Sequence, residues 1–288
     1  MGFLKKLFSK QPKINPVPDV DYRKIWDELQ STIKPLAKPC IRLIKTSDVK
    51  NSQIGGKPRV NIESFEWPYV DNKPMAFIAQ LDLAELMPEF SIDWLPNTGS
   101  LLFFYEMDDM VWGFDPKDKG HWKVIYESKA LTEIGFPKDL DKDYQLQHSF
   151  LSPMRISILP AYDSEAVEAL NFSDEQFDAY IEYKNSYDEH NPQHQIGGFP
   201  SPVQSNGMEL ESQLASNGVN CGSPEGYEDP RVKALKAGAK DWRLLLQVDT
   251  DDDLELMWGD GGMLYFWIRE QDAKTFNFDA SWLILQCY

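Results

Sequence analysis

The strongest constraint on this fold is a set of three sequence blocks that occurs twice in the same order. Each copy has a Gln-Ile-Gly-Gly-Xaa-Pro block, an apolar block that ends in Gln-Xaa-Asp, and an apolar run that begins at Gly. The blocks lie at 53–58, 77–82 and 99–103, and again at 195–200, 244–249 and 262–266. This order predicts an internal duplication with pseudo-repeats over about 40–130 and 190–288.

The spacing of apolar residues predicts an α+β fold with two sheet-rich halves and interspersed helices. The strands do not alternate regularly with long helices, so we expect mostly antiparallel or mixed pairing. Ser173 and Gln176 form a capping-box signature and start a helical insert between the halves. A first helix starts near Asp21, so residues 21–288 are expected to form one domain. The predicted strands are 40–44, 77–81, 101–105, 122–126, 242–248, 263–268 and 282–286.

Residues 1–20 are predicted to be a separate basic amphipathic segment followed by a proline-rich linker. The first 18 residues contain four lysines and no acidic residue. Phe3, Leu4, Leu7 and Phe8 fall on one helical face, which favours weak contact of residues 3–10 with a membrane surface. A frayed or docked terminus is the alternative interpretation.

The charge of the chain narrows the class of partner. The net charge is −17, and without the four N-terminal lysines the remainder carries 25 basic and 46 acidic residues, or −21. Such a body repels phosphate backbones, so no nucleic-acid binding is predicted, and a basic protein partner is favoured. Three widely spaced cysteines without a C-x-x-C motif indicate a reducing, cytoplasmic location.

The polar pairs that end the second block of each copy are the candidate ligand-binding residues. Gln80 with Asp82 and Gln247 with Asp249 alternate along a strand, so the members of each pair share one face. They are expected either to line a cleft shared by the two halves or to cap the turns that follow. Trp258 and Asp260, in a glycine-rich turn nearby, complete the candidate set; packing is the other fate of the tryptophan.

An acidic run in the second copy partly follows the spacing of a calcium loop. Asp249, Asp251 and Asp253 occupy its first, third and fifth positions, but Leu254 stands where the sharp turn needs Gly. The flanks also read as strands. These three residues are weak candidates, and no metal site is predicted.

The sequence predicts neither a cofactor site nor a catalytic site. The Gly-Gly blocks lack the Lys-Ser/Thr ending of a P-loop and the G-x-G-x-x-G pattern of a dinucleotide site. No Gly-x-Ser-x-Gly elbow is present, and no spacing singles out an acid–base pair.

The same blocks resemble the YwqG-like family, a group of bacterial proteins defined as a domain of unknown function. The similarity covers roughly residues 20 to 288. It implies a cytoplasmic bacterial protein with an α+β fold, and it brings no activity, cofactor or site. The residues that carry it are 54–58, Trp67-Pro68, 77–83, 95–104, 196–200, 244–249, 258–266 and Leu285-Gln286.

These observations favour a non-enzymatic binding or protein-interaction function. One form is an immunity or regulatory protein that neutralises a basic partner, since the body is acidic and rich in aromatic residues. The alternative is a small-molecule binder or enzyme with a cleft between the halves. The sequence does not determine the ligand, the partner or the oligomeric state.

Overall fold

The computed structural model describes residues 21–88, 92–128, 131–187 and 192–288. Helices and strands each hold 29% of the chain, so neither class dominates. The strands are β1 Lys38–Thr46, β2 Gln53–Ile54, β3 Arg59–Val60, β4 Tyr69–Val70, β5 Lys73–Pro74, β6 Ala76–Asp82, β7 Ser100–Tyr105, β8 Trp122–Glu127, β9 Thr132–Glu133, β10 Ser149–Ile158, β11 Gln195–Gly197, β12 Trp242–Asp249, β13 Met263–Arg269 and β14 Trp282–Gln286.

The helices precede or separate the strands. The α-helices are α1 Tyr22–Ile33, α2 Leu83–Leu86, α3 Glu165–Glu168, α4 Asp174–Tyr187, α5 Met208–Ala215, α6 Val232–Leu235 and α7 Glu270–Lys274. Of these, α1 and α4 have 12 and 14 residues. Short 3-10 turns occupy Lys34–Leu36, Pro116–Asp118, Lys142–Tyr144, Pro224–Glu228, Lys236–Asp241, Asp252–Leu254 and Phe278–Ala280. None of the helices in the described part of the chain is both long and apolar enough to span a membrane.

Ten strands form one sheet in the order β14-β13-β12-β11-β1-β10-β2-β6-β7-β8. Every neighbouring pair in it is antiparallel. The sheet curls until it is nearly barrel-shaped, and the mixture of helices with antiparallel strands agrees with the expected α+β class. The longest pairing, β1 with β10, occupies the centre and runs from Lys38 opposite Ile158 to Thr46 opposite Phe150.

The two central strands are exchanged between the flanking sets. The first set contains β2, β6, β7 and β8, and the second contains β11, β12, β13 and β14. Although β1 precedes the first set along the chain, it pairs with β11 of the second set, where Ile41 lies opposite Ile196. Likewise β10 precedes the second set but pairs with β2. The first set is therefore hydrogen-bonded to β10, which precedes the second set in the chain. The second set is hydrogen-bonded to β1, which precedes the first.

The two flanking sets also share the same register. Gln80 of β6 lies opposite Leu102 of β7, and Gln247 of β12 lies opposite Tyr265 of β13. A register shift precedes each glutamine at the same distance, between Phe77 and Ala79 in β6 and between Leu244 and Leu246 in β12.

Side chains and loop residues bring the edge strands β8 and β14 together at a seam. The rings of Trp122 and Trp282 pack edge to face with centroids 4.9 Å apart, and Trp122 Nε1 donates to the Ser281 carbonyl at 3.1 Å. Lys119 Nζ donates to the Ser281 and Asp279 carbonyls at 2.9 and 2.6 Å. Lys119 is exposed as a whole residue, but partial desolvation of its ammonium lowers its pKa to about 8.

Apolar clusters lie inside the sheet and on its outer surface. In the interior, Phe103 of β7 meets Phe266 of β13 with ring centroids 5.1 Å apart. A second cluster joins α1 and α4, where Trp26 stacks on Tyr183. A third lies on the outer face of the first set around Phe104.

The helical insert starts with the predicted capping box. Gln176 N–H donates to Ser173 Oγ at 3.3 Å, and Ser173 N–H donates to Gln176 Oε1 at 3.0 Å. The predicted strands are present, but the sequence prediction omits β10, the central strand that carries Pro153. Residues 1–20, for which a basic amphipathic segment was predicted, lie outside the described residues.

Candidate functional site

The two glutamines of the candidate pairs are buried, and each fixes the turn that follows a Gly-Gly block. Gln80 Oε1 accepts from the Arg59 backbone N–H, and Gln247 Oε1 accepts from the Ser201 N–H, both at 2.9 Å. Gln247 also donates through Nε2 to the Gln193 carbonyl at 2.8 Å. Both side chains therefore serve backbone groups.

A second pair of glutamines holds the same turns from inside. Gln53 Nε2 donates to the carbonyls of Gly55 and Lys57, each at 2.9 Å. Gln195 Nε2 donates in the same way to the carbonyls of Gly197 at 3.2 Å and Phe199 at 2.7 Å. The first residue of each Gln-Ile-Gly-Gly-Xaa-Pro block is thus hydrogen-bonded to the turn within its own block.

The aspartates of the pairs occupy different surroundings. Asp82 Oδ1 caps α2 by accepting from the Ala84 N–H at 2.9 Å. Asp249 Oδ2 accepts from the Gln193 N–H at 2.8 Å, and burial raises the pKa of its carboxyl group. The two Gln-Xaa-Asp pairs are bonded to the backbone of their own ends of the sheet, so the structure does not bring the four side chains together.

The acidic run already contains a cation, the Lys45 ammonium. Lys45 Nζ lies 2.6 Å from Asp251 Oδ1 and 2.8 Å from Asp253 Oδ2. His194 Nδ1 accepts from the Asp249 N–H at 3.1 Å, so the ring proton lies on Nε2, 3.4 Å from Asp251 Oδ2. Burial alone would raise the pKa of Asp251, but His194 and Lys45 outweigh it and lower this pKa to about 2.

No group of three or more His, Cys, Asp or Glu side chains in the described ranges is placed to hold a metal ion. Trp258, the candidate stacking residue, is fully buried, and its Nε1 donates to the Asp249 carbonyl at 3.0 Å. Asp260 is exposed, and its backbone carbonyl accepts from the Tyr288 N–H. The turn at 258–262 therefore packs beneath the C-terminus.

An acidic groove of about 950 Å³ opens between two loops that the sequence analysis did not predict to be neighbours. One loop follows β7 and contains Trp112 and Asp115, and the other follows α5 and contains Glu225 and Glu228. Six of the fourteen described residues that line the groove are acidic, and none of the fourteen is Lys, Arg or His. We call this feature the acidic groove. The acidic residues that line it are Asp109, Asp115, Asp118, Glu225, Glu228 and Asp229.

Trp112 is held at the groove by its backbone while its side chain stays 41% exposed. Its carbonyl accepts from the Leu285 N–H of β14 at 3.0 Å. Trp282 Nε1 donates to the next carbonyl, that of Gly113, at 2.7 Å. Gly113 has φ +82°, and a Cβ there would lie 1.8 Å from the Leu283 carbonyl oxygen, so only glycine permits this close approach.

Hydrogen bonds join the two walls of the groove. Asn220 Nδ2 donates to Asp115 Oδ2 at 2.7 Å, and the Cys221 N–H donates to the Phe114 carbonyl at 3.0 Å. Asp229 pairs with Arg231 at 2.8 Å, and this contact lowers the pKa of Asp229 to about 2. The walls lie about a hundred positions apart in the sequence, so no local motif signals the groove.

Comparison with known proteins relates the chain to a protein family but assigns no activity to it. A search of curated proteins returns no significant match. One family model, described as "Domain of unknown function (DUF1963)", matches residues 52–287. That range includes both copies of the doubled blocks, both Gln-Xaa-Asp pairs and the walls of the acidic groove. The chain therefore belongs to the DUF1963 family.

Proposed function

We propose that this chain is a non-enzymatic binding protein of the bacterial cytoplasm whose acidic groove takes up a lysine- or arginine-rich segment of a basic protein. The observation that carries this proposal is the concentration of carboxylates beside an exposed tryptophan in the acidic groove. An immunity or regulatory protein that neutralises a basic partner works in this way.

The chemistry of the groove suits a cationic peptide. Carboxylates of one sign in a concave surface concentrate the field and accelerate association with a basic partner. The exposed face of Trp112 adds a cation–π contact worth about 0.5–1 kcal/mol at a surface site. Binding is therefore expected to depend on both the charges and the ring.

The acidic run at 249–253 suits this role less well, although its residues also line a surface depression. Asp251 and Asp253 are paired with Lys45, and Asp249 is held by the Gln193 N–H. Asp109, Glu225 and Glu228 are exposed, and no ion pair involves them within the described residues.

The test compares two triple variants that change the net charge equally. D109N/E225Q/E228Q removes three carboxylates from the groove, whereas E165Q/E168Q/D178N removes three exposed carboxylates from α3 and α4. We expect the groove variant to weaken binding of an arginine-rich peptide at least about tenfold at low salt. The control variant should change it by less than about threefold. Fluorescence anisotropy at about 50 and 300 mM salt measures both.

W112A is expected to reduce affinity further and to leave the salt dependence nearly unchanged, because it removes a ring and no charge. Equal losses in the two triple variants would mean that the peptide senses only net charge, and the groove proposal would then be wrong. Absence of binding to any lysine- or arginine-rich peptide would contradict it as well.

The duplication and the narrower family assignment belong to the same proposal. We infer that the two strand sets descend from one ancestral unit of the YwqG-like type. The equal registers at Gln80 and Gln247 and the paired glutamine bonds to the two Gly-Gly turns support this origin.

A further inference from the structure

The Trp112 side chain lines the acidic groove and has no cation of its own. It is 41% exposed, and among the described residues the one aromatic ring beside it is that of Phe114. The two ring centroids lie 6.4 Å apart and the planes are tilted by 34°. No lysine or arginine in the described part of the chain lies over the indole. The indole is therefore left for a cation from outside the chain.

The backbone that carries this ring is fixed on both sides. The Trp112 carbonyl accepts from the Leu285 N–H at 3.0 Å, and the Gly113 carbonyl accepts from Trp282 Nε1 at 2.7 Å. The Gly113 N–H donates to Asp118 Oδ2 at 2.9 Å. A ring on a fixed backbone loses little conformational freedom when a ligand stacks on it, so more of the contact energy appears as affinity.

The carboxylates of the groove divide into engaged and free groups. Asp115 accepts through both oxygens, from the Lys117 N–H at 2.9 Å and from Asn220 Nδ2 at 2.7 Å. Asp109 and Glu228 are exposed, and within the described residues neither carboxylate accepts a hydrogen bond or forms an ion pair. Both oxygens of these two groups are therefore available to a ligand.

One carboxylate of the groove already binds an arginine of the chain. Arg231 Nε donates to Asp229 Oδ1 at 3.0 Å, and Arg231 Nη2 donates to Asp229 Oδ2 at 2.8 Å. Asp229 lines the groove, whereas Arg231 does not. Two parallel N–H bonds to the two oxygens of a carboxylate are the arrangement that a guanidinium forms and a single ammonium does not.

A guanidinium suits a ring and free carboxylates better than an ammonium does. It is planar and more weakly hydrated, so it stacks on an aromatic face at a smaller cost of dehydration. Its N–H groups form a fork that matches both carboxylate oxygens, whereas the lysine ammonium is a strongly hydrated point charge. At equal charge, the groove therefore favours arginine over lysine.

We propose that Trp112 makes the acidic groove selective for arginine-rich over lysine-rich segments, an inference that rests on the proposed function. The guanidinium plane stacks on the indole, and its N–H edge remains free to bond to a groove carboxylate. The carboxylates supply attraction for any basic segment, and the ring distinguishes between two segments of the same charge. A partner is thus recognised by its arginines and not by its net charge alone.

Two peptides of equal length and charge test the proposal, one with arginine and one with lysine at the same positions. Fluorescence anisotropy measures their affinity for the full chain. We expect the arginine peptide to bind about fivefold more tightly. The ratio of the two affinities should be nearly the same at about 50 and 300 mM salt, because salt screens both peptides equally.

W112L keeps an apolar side chain and removes the aromatic face. It is expected to lower the ratio to less than about twofold, mainly through weaker binding of the arginine peptide. Y162L, at an exposed tyrosine outside the groove, should leave the ratio unchanged. A variant that failed to fold would lose both peptides together, so retained binding of the lysine peptide shows that W112L is folded.

Equal affinity of the unmodified chain for the two peptides would overturn the selectivity and leave the proposed function standing. The selectivity is also overturned if W112L keeps the ratio of the unmodified chain, or if it weakens both peptides to the same extent. Absence of binding by either peptide would instead contradict the proposed function itself. The two failures are therefore distinguishable in one set of titrations.

Discussion

At the residue scale, four buried glutamines show how a polar side chain serves the fold. Gln53, Gln80, Gln195 and Gln247 each bond to backbone groups of a Gly-Gly turn. A glutamine that faces a ligand and one that holds a turn look identical in a sequence. The partner decides between them, and here the partners are backbone N–H and C=O groups that would otherwise be buried without hydrogen bonds.

Replacing Gln247 with Met keeps the size of the side chain and removes both hydrogen bonds. The Ser201 N–H and the Gln193 carbonyl then lose their partner, so we expect the free energy of unfolding to fall by about 2–4 kcal/mol. Q271M, at an exposed position of α7, should change it by less than about 0.5 kcal/mol. Urea unfolding measures both, and equal effects would show that the network adds no stability.

At the element scale, continuous apolar runs predicted β6, β7, β12 and β13 because buried strands need them. The sequence prediction omitted β10, since Pro153 lacks an N–H and argues against a central strand. Pro153 lies opposite Leu43 of β1, but only Ser149 and Phe150 of β10 are in register with β2, so no strand pairs with the other side of β10 at the proline. The acidic groove could not be predicted, because it combines two loops that are distant in sequence.

The two Gly-Gly turns provide a matched test at this scale. Gly55 and Gly197 have φ values of +58° and +66°, so alanine costs about 1–2 kcal/mol of backbone strain at either. At Gly55 a Cβ would also lie 1.9 Å from the Gln147 carbonyl oxygen, whereas at Gly197 the nearest atoms are 4.0 Å away. G55A should therefore lose about 1–3 kcal/mol more than G197A by urea unfolding. Equal losses would contradict the close contact at Gly55.

At the scale of the whole molecule, the seam between β8 and β14 turns an open sheet into a nearly closed one. The seam is made by side chains and loop residues, and within the described residues β8 and β14 form no backbone ladder with each other. The seam also places the acidic groove, because the loop that carries Trp112 runs beside β14 at this seam.

The lowered pKa of Lys119 makes the stability of the seam depend on pH. Its pKa is about 8 in the folded chain and near 10.5 when unfolded, so between these values the unfolded state binds more protons. The contribution of Lys119 to the free energy of unfolding therefore rises as pH increases from about 8 to 10.5, and it is constant below pH 8. We expect the unfolding free energy of the unmodified chain to rise relative to K119M between pH 7.5 and 10. A constant difference would contradict this prediction.

The exchange of the central strands has a consequence for synthesis on the ribosome. The first strand, β1, is hydrogen-bonded to β10 and β11, and the nearer of these begins about a hundred residues later. While the first half of the chain is being translated, β1 has neither neighbour, and β2 has only β6. β1 can pair with β11 only after residues near 197 have emerged from the exit tunnel, and the seam with β8 can form only after β14 has emerged. Until then the nascent chain exposes apolar strand edges, the kind of surface that molecular chaperones bind.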